Sequence, residues 1–199
     1  MAQKFPAISD QHRSFIERQK IFFVATAAAK GRVNVSPKGM ATLRVLGAHD
    51  VAYLDCTGSG SETRAHLLAS DDRRLTLMFC AFDGPPLILR LYGQGHSLMR
   101  GTPEYAAMLQ HFEEIPGARQ IVHLAVDLVQ TSCGMGVPLL DYREDRQNLV
   151  RHWARQGMDS LRRYWGLKNM QSIDGLPTQF DPDVMSPPPP QPSALEHAE

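Results

Sequence analysis

Apolar positions recur along the chain in short runs whose period changes from segment to segment. Residues 21–28, IFFVATAA, open with aromatic and β-branched side chains, which suits a buried strand better than a helix. Lys30-Gly31 turns the chain, and residues 33–36, VNVS, alternate with period two as the hairpin partner. Pro37 is expected to end regular pairing there. Residues 42–46 and 51–54 form a second strand pair around Gly47-Ala48-His49-Asp50. Residues 74–80 alternate cleanly, and residues 87–96 follow as a strand after the turn Asp83-Gly84-Pro85-Pro86. Gly93 and Gly95 in that strand permit a bend or bulge. Residues 122–129 make a further strand, and the glycines and proline of residues 130–140 predict a loop.

Helical spacing occurs between these runs. Ser9 can cap a short helix with His12, Phe15, Ile16 and Gln19 on one face. A central helix follows residue 61, with Arg64 in its first turn and Leu67 and Leu68 as apolar positions. Pro103 starts a helix carrying Tyr105, Met108, Leu109 and Phe112. Residues 142–167 read as a long C-terminal helix that Gly157 can divide. Six or seven strands with irregularly placed helices predict a mainly β fold, an antiparallel barrel with helical additions, and disfavour a doubly wound parallel sheet. Residues 1–180 are expected to form one domain. Residues 181–199 hold four consecutive prolines and are expected to be an extended or disordered tail.

Composition narrows the function classes. A chain of 199 residues with 43% hydrophobic content can bury an ordinary core, and its formal net charge is zero. A neutral chain lacks the general basic footprint of a nucleic-acid binder. No apolar run approaches the roughly 20 residues needed to span a bilayer, and the N-terminus shows no signal-peptide core. Cys56, Cys80 and Cys133 are odd in number and widely spaced, which predicts reduced thiols in a cytoplasmic protein. The histidines lack metal-ligand spacing, so no metal is expected. No GxSxG motif supports a serine hydrolase.

Candidate chemistry concentrates in residues 55–68, DCTGSGSETRAHLL. A strand end, a glycine turn and a helix start together make an anion site. The first helical N–H groups lack intrahelical acceptors, and the helix dipole favours negative charge there. Ser59, Ser61 and Thr63 offer hydroxyls, and Arg64 offers a guanidinium suited to phosphate. The same residues also fit a plain capped helix, with Ser59 and Glu62 as a capping box or Ser61 as N-cap. The third glycine of the dinucleotide fingerprint and the Gly-Lys-Ser/Thr of the P-loop are both missing.

Four stretches, the turn just described among them, stand in a recognisable order: Ser36-Pro37-Lys38-Gly39, the turn at residues 55–63, the strand pair at residues 77–93, and Ser132-Cys133-Gly134-Met135-Gly136-Val137-Pro138. With them, roughly residues 5–177 resemble the pyridoxamine 5'-phosphate oxidase-like family of FMN-binding split barrels, closest to an uncharacterised subgroup. The resemblance implies a six- to seven-stranded antiparallel split β-barrel. It also implies a homodimer with FMN in a cleft between subunits, and an FMN-dependent oxidoreductase using a reduced nicotinamide or small organic substrate. The alternatives are a non-catalytic FMN carrier and a haem-binding relative. By resemblance, Asn34, Val35, Ser36 and Lys38 contact flavin and phosphate, and Thr57, Ser61, Thr63 and Arg64 contact ribityl and phosphate. Vitamin-oxidising members carry an Arg-Lys pair where this chain has Glu62-Thr63, so Lys38 and Arg64 are expected to supply the positive charge. Arg90, within an apolar strand, either reaches the flavin or phosphate or pairs with Asp55 or Glu62.

Overall fold

The computed structural model describes residues 2–183. The first half runs β1 (Gln3–Phe5), α1 (Asp10–Arg18), β2 (Phe22–Thr26), β3 (Asn34–Lys38), β4 (Leu43–Val45), β5 (Asp50–Cys56) and α2 (Glu62–Ala69). The second half runs β6 (Arg74–Cys80), β7 (Ile88–Met99), α3 (Pro103–Leu109), β8 (Ala118–Ser132) and α4 (Asn148–Lys168). Every strand pair is antiparallel. The sheet order is β3-β2-β6-β7-β8-β5-β4, with β1 paired to β8. This is the expected split barrel, with one strand more than the sequence pattern showed. The extra strand, β1, is three residues long and exists by pairing with the end of β8, so no alternation could reveal it.

The sheet must curl to close. β7 and β8 slip register at Tyr92/Gly93. A Cβ on Gly93 would lie 1.9 Å from the Ala125 carbonyl oxygen, so only glycine lets the two backbones pass this closely. The consequence is visible at the ends of the sheet. β3 stands at one edge and β5 near the other, yet Lys38 Nζ reaches Asp55 Oδ1 at 2.8 Å. That ion pair spans the split of the barrel.

β5 is buried on both faces. Val51 and Tyr53 join the barrel interior with Val24, Leu77, Leu91 and Leu124. Ala52 and Leu54 pack on the other side with Tyr105, Leu109, Phe112 and Ile121. Two-sided burial explains why this strand reads as a continuous apolar run. A third cluster holds α4 through Trp153, Leu161 and Trp165, with Phe180 from the following segment.

Several local expectations change. Pro37 lies inside β3, opposite Phe23, and does not end it. β3 is an edge strand, where a missing N–H costs no ladder bond on the open side. Leu68 is exposed, because α2 buries Ala65 and Leu67 instead. Phe112 lies beyond the end of α3 while packing beneath it. Residues 142–147 are not helical; α4 begins at Asn148 and breaks at Gly157, whose φ of 70° and ψ of 174° are non-helical. β8 extends to Ser132, so Gln130, Thr131 and Ser132, expected in the loop, pair with Arg90, Leu89 and Ile88 instead. Beyond Asp183, the expected proline-rich tail lies outside the described residues.

Candidate cofactor site

β5 leaves the sheet at a register shift between Asp55 and Cys56. Thr57 fastens the exit. Its N–H and hydroxyl both donate to the Gly117 carbonyl, at 2.8 and 2.7 Å. Its hydroxyl oxygen accepts the indole N–H of Trp165 at 2.8 Å. The chain then turns through Gly58 to Gly60 into α2, with Ser61 as N-cap. Ser61 takes the N-cap position that one sequence alternative gave it, but its side chain makes no capping hydrogen bond, and the Ser59–Glu62 capping box does not form. The Ser61 Oγ is buried and has no hydrogen-bond partner among the described residues. Glu62 turns its carboxylate to the Ile173 N–H, at 3.0 and 3.2 Å.

Between this turn and β3 lies a cleft of about 660 Å³. Its β3 wall alternates: Asn34, Ser36 and Lys38 are partly buried, while Val35 and Pro37 are exposed. Its other wall is Gly58, Ser59, Gly60, Glu62 and Thr63. Asn34 bridges the walls, donating from Nδ2 to Thr63 Oγ1 at 3.3 Å and to Thr26 Oγ1 at 3.1 Å. Behind them, Thr26 Oγ1 lies 3.1 Å from Nδ1 of the buried His66. Arg32 lines the mouth, and the buried Asp55 and Arg119 line the depth.

Asp55 is the electrostatic hub. Its carboxylate accepts from Lys38 Nζ at 2.8 Å, Arg119 Nε at 2.9 Å and Gln120 Nε2 at 2.7 Å. Burial alone would raise its pKa. Arg119, then Lys38, and the hydrogen bonds from Gln120 and Lys38 outweigh burial and hold the carboxyl well below its usual range. Burial first, and the Asp55 carboxylate second, push the neighbouring Cys56 thiol up to about 12. The remaining Arg119 donors reach Gly60 O and Asn169 Oδ1, both at 2.8 Å. Each cation lining the cleft therefore has a carboxylate partner: Lys38 and Arg119 share Asp55, and Arg32 pairs with Asp174.

Of the residues expected at the site, Asn34, Val35, Ser36, Lys38 and Thr63 line this cleft. Thr57, Ser61, Arg64 and Arg90 do not. The Thr57 hydroxyl is committed to Gly117 and Trp165, and Ser61 is buried at the helix start. Arg64 faces the opposite side of α2. Its Nε donates to Thr178 O at 2.5 Å and its Nη1 to Ser97 Oγ at 2.9 Å, with the guanidinium over the Phe180 ring. Arg90 donates to Ser132 Oγ at 3.3 Å and pairs with neither Asp55 nor Glu62. Trp165 is fully buried and binds Thr57, so it has no free face for a ligand.

Arg119, Arg32 and the stretch 171–173 are not apparent from the sequence. Asp55, within the candidate stretch and a possible partner of Arg90, has Lys38 and Arg119 as its partners instead. Asp55 and Arg119 carried one readable signal: each is a charge at the margin of an apolar strand, and a buried charge requires a partner. Residues 171–173 carried none, since they reach the cleft only through the tertiary fold.

A family model described as pyridoxamine 5'-phosphate oxidase matches residues 8–133. The pyridoxamine 5'-phosphate oxidase family protein ustO of Aspergillus flavus is 37% identical over a 193-residue alignment, covering 87% of this chain and 76% of that protein. Among solved structures, a histidine-to-alanine variant of HupZ from Group A Streptococcus aligns with a TM-score of 0.50 and 22% identity, over 63% of this chain and 99% of that one. A Clostridium acetobutylicum protein related to general stress protein 26 aligns with a TM-score of 0.45 and 15% identity, over 62% of this chain and 86% of its own. The matched segment contains the β3 wall, the turn wall and the buried Asp55–Arg119 pair, but not residues 171–173, which also line the cleft. By this match and by its identity to the Aspergillus protein, the chain belongs to the pyridoxamine 5'-phosphate oxidase family.

Proposed function

We propose that this cleft binds a flavin nucleotide, FMN, and that the chain acts as an oxidoreductase between a reduced nicotinamide or small organic substrate and the flavin. The observation that carries the reading is that the uncapped start of α2 and the Lys38 ammonium line one cleft. Together they supply the donors and the positive charge that a phosphate requires. The volume falls within the roughly 300–1,000 Å³ of small-molecule sites. The Ser61 hydroxyl, with no partner among the described residues, adds a buried polar group at the same helix end. Family membership supports the same ligand.

Bound flavin supplies electron transfer, and the protein's part is to hold, orient and tune it. Asn34 and Ser36 would line the ring side, and the turn at residues 58–63 the phosphate side. Lys38 would share its charge between Asp55 and the phosphate. Glu62 stands where vitamin-oxidising relatives place a cation, so the helix N–H groups carry more of the phosphate binding here. Among the described residues lining the cleft there is no histidine, and the Cys56 thiol is held protonated. No side chain there is set up as an axial haem ligand, which favours flavin over haem.

The proposed assembly is a homodimer with FMN at the interface. Val33 and Val35, 68% and 62% exposed, line the β3 bank of the cleft and give an apolar surface for a second copy to cover.

The test is the absorbance spectrum of purified protein, with FMN titrated into apoprotein and followed by flavin fluorescence and melting temperature. A flavin spectrum and saturable binding are expected, with a dimer by light scattering. Folded protein that stays colourless in excess FMN, with an unmoved melting temperature, overturns the reading. Anaerobic reduction of the flavin by NADH or NADPH separates an oxidoreductase from a carrier.

A further inference from the structure

The chain after α4 lies beyond the matched segment, yet it returns to the cleft. Residues 171–173 form part of the wall. Two polar contacts fasten this stretch from opposite banks. From the β2–β3 connection, Arg32 makes an ion pair with Asp174, and the Arg32 N–H donates to Asp174 Oδ2 at 2.7 Å. From α2, the Glu62 carboxylate accepts the Ile173 N–H. The bank is shaped to receive Asp174: a Cβ on Gly31 would lie 2.5 Å from its Oδ2.

The two ends of the stretch are held differently from its middle. Asn169 is buried, donates to Gly58 O at 3.0 Å and accepts from Arg119. Thr178 is buried, donates to Asn169 O at 2.7 Å and accepts from Arg64. The middle is held mainly by its own turn and only partly shielded from water. Ser172 is buried and its Oγ accepts from the Asp174 and Leu176 N–H groups. Ile173, by contrast, is 72% exposed, and the Asp174 side chain, 16% exposed, is held by an Arg32 side chain that is 71% exposed. An ion pair with one partner in water is weakened and screened by salt, whereas buried hydrogen bonds at the anchors are not. Such a segment opens locally without unfolding the domain.

We propose that residues 170–177 are a strap that closes the cleft over its bound ligand, with Arg32–Asp174 as its latch and Glu62–Ile173 as a second fastening. The ligand in this proposal is the flavin nucleotide of the preceding section; the latch itself does not depend on that identity. Opening the strap precedes ligand release, so a weaker latch speeds release and leaves the anchors intact.

Hydrogen exchange across residues 170–177 and the rate of FMN release, both in the full chain, test this. In Asp174→Ala the amides of residues 173–176 are expected to exchange about tenfold faster, and about 1 M salt should move the wild type in the same direction. FMN release should quicken about fivefold, while the melting temperature moves by less than about 3 °C. Glu62→Gln keeps an acceptor for the Ile173 N–H and should stay within about twofold of wild-type exchange. Unchanged exchange in Asp174→Ala overturns the latch, and faster exchange with unchanged FMN release overturns the strap's closing role. Wild-type protein that takes up no FMN overturns the reading of the preceding section, and exchange alone then decides the latch.

Discussion

The indole Nε1 of Trp165 donates a 2.8 Å hydrogen bond to the hydroxyl of Thr57, tying the C-terminal helix to the end of β5. Both groups are buried. Trp165→Phe keeps most of the packing and removes only the donor. It should cost about 1 kcal/mol, read as a melting-temperature drop of about 2–4 °C. Trp165→Ala should cost about 3–5 kcal/mol. Flavin affinity of folded Trp165→Phe should match wild type, because the indole does not line the cleft.

Lys38 and Arg64 separate binding from stability. Lys38 lines the cleft, so Lys38→Ala should weaken FMN binding about ten- to hundredfold in a fluorescence titration. Arg64 binds Thr178, Ser97 and Gln179, so Arg64→Ala should lower unfolding free energy by about 2–4 kcal/mol. Its affinity loss should be the smaller of the two.

Asp55 links stability to pH. Its folded pKa lies below the ordinary 3.8. The stabilisation is therefore fully present above that value and is lost as pH falls toward the folded pKa. Asp55→Asn leaves Arg119 without its buried counter-charge and should cost about 3–5 kcal/mol at neutral pH. Unfolding free energy measured from pH 6 downward, to about pH 2, should then show a shallower acid limb in the variant than in wild type.

Gly93→Ala probes the curl of the barrel. The new Cβ meets the Ala125 carbonyl oxygen at 1.9 Å, a backbone atom that cannot move aside as a side chain can. Destabilisation of about 3 kcal/mol is expected in denaturant unfolding. An unaffected variant would mean that β7 and β8 do not approach as described.

Much of the barrel was legible because strands announce themselves locally. The alternation of residues 74–80 places Leu75, Leu77 and Phe79 in the core of β6. The helix capped by Ser9 buries His12, Phe15 and Ile16 as the spacing requires. The candidate site was legible in part. The alternation of residues 33–36 sets Asn34 and Ser36 on one side of β3, whereas Lys38 was implied only by the family resemblance. The strand runs on through Pro37, so Lys38 joins that side at the cleft. Arg64 shows where locality ends. Its nearness to the glycine turn is a fact of sequence, but the rotation of α2 against the sheet turns it toward Thr178, 114 positions away.

By itself, the sequence determined β2 to β8, the glycine turn before α2 and the residue types that gather there, since each rests on neighbours within a few positions; β1 needed its partner β8. Only the tertiary structure decided which charges meet. Asp55 finds Lys38 at a separation of 17 residues and Arg119 at 64 because the sheet closes on itself and leaves a buried carboxylate that water cannot solvate. Arg32 finds Asp174 at 142 for a related reason: the chain beyond α4 comes back across the split. No local period encodes either meeting, because an ion pair is set by distance in space and by the loss of solvent.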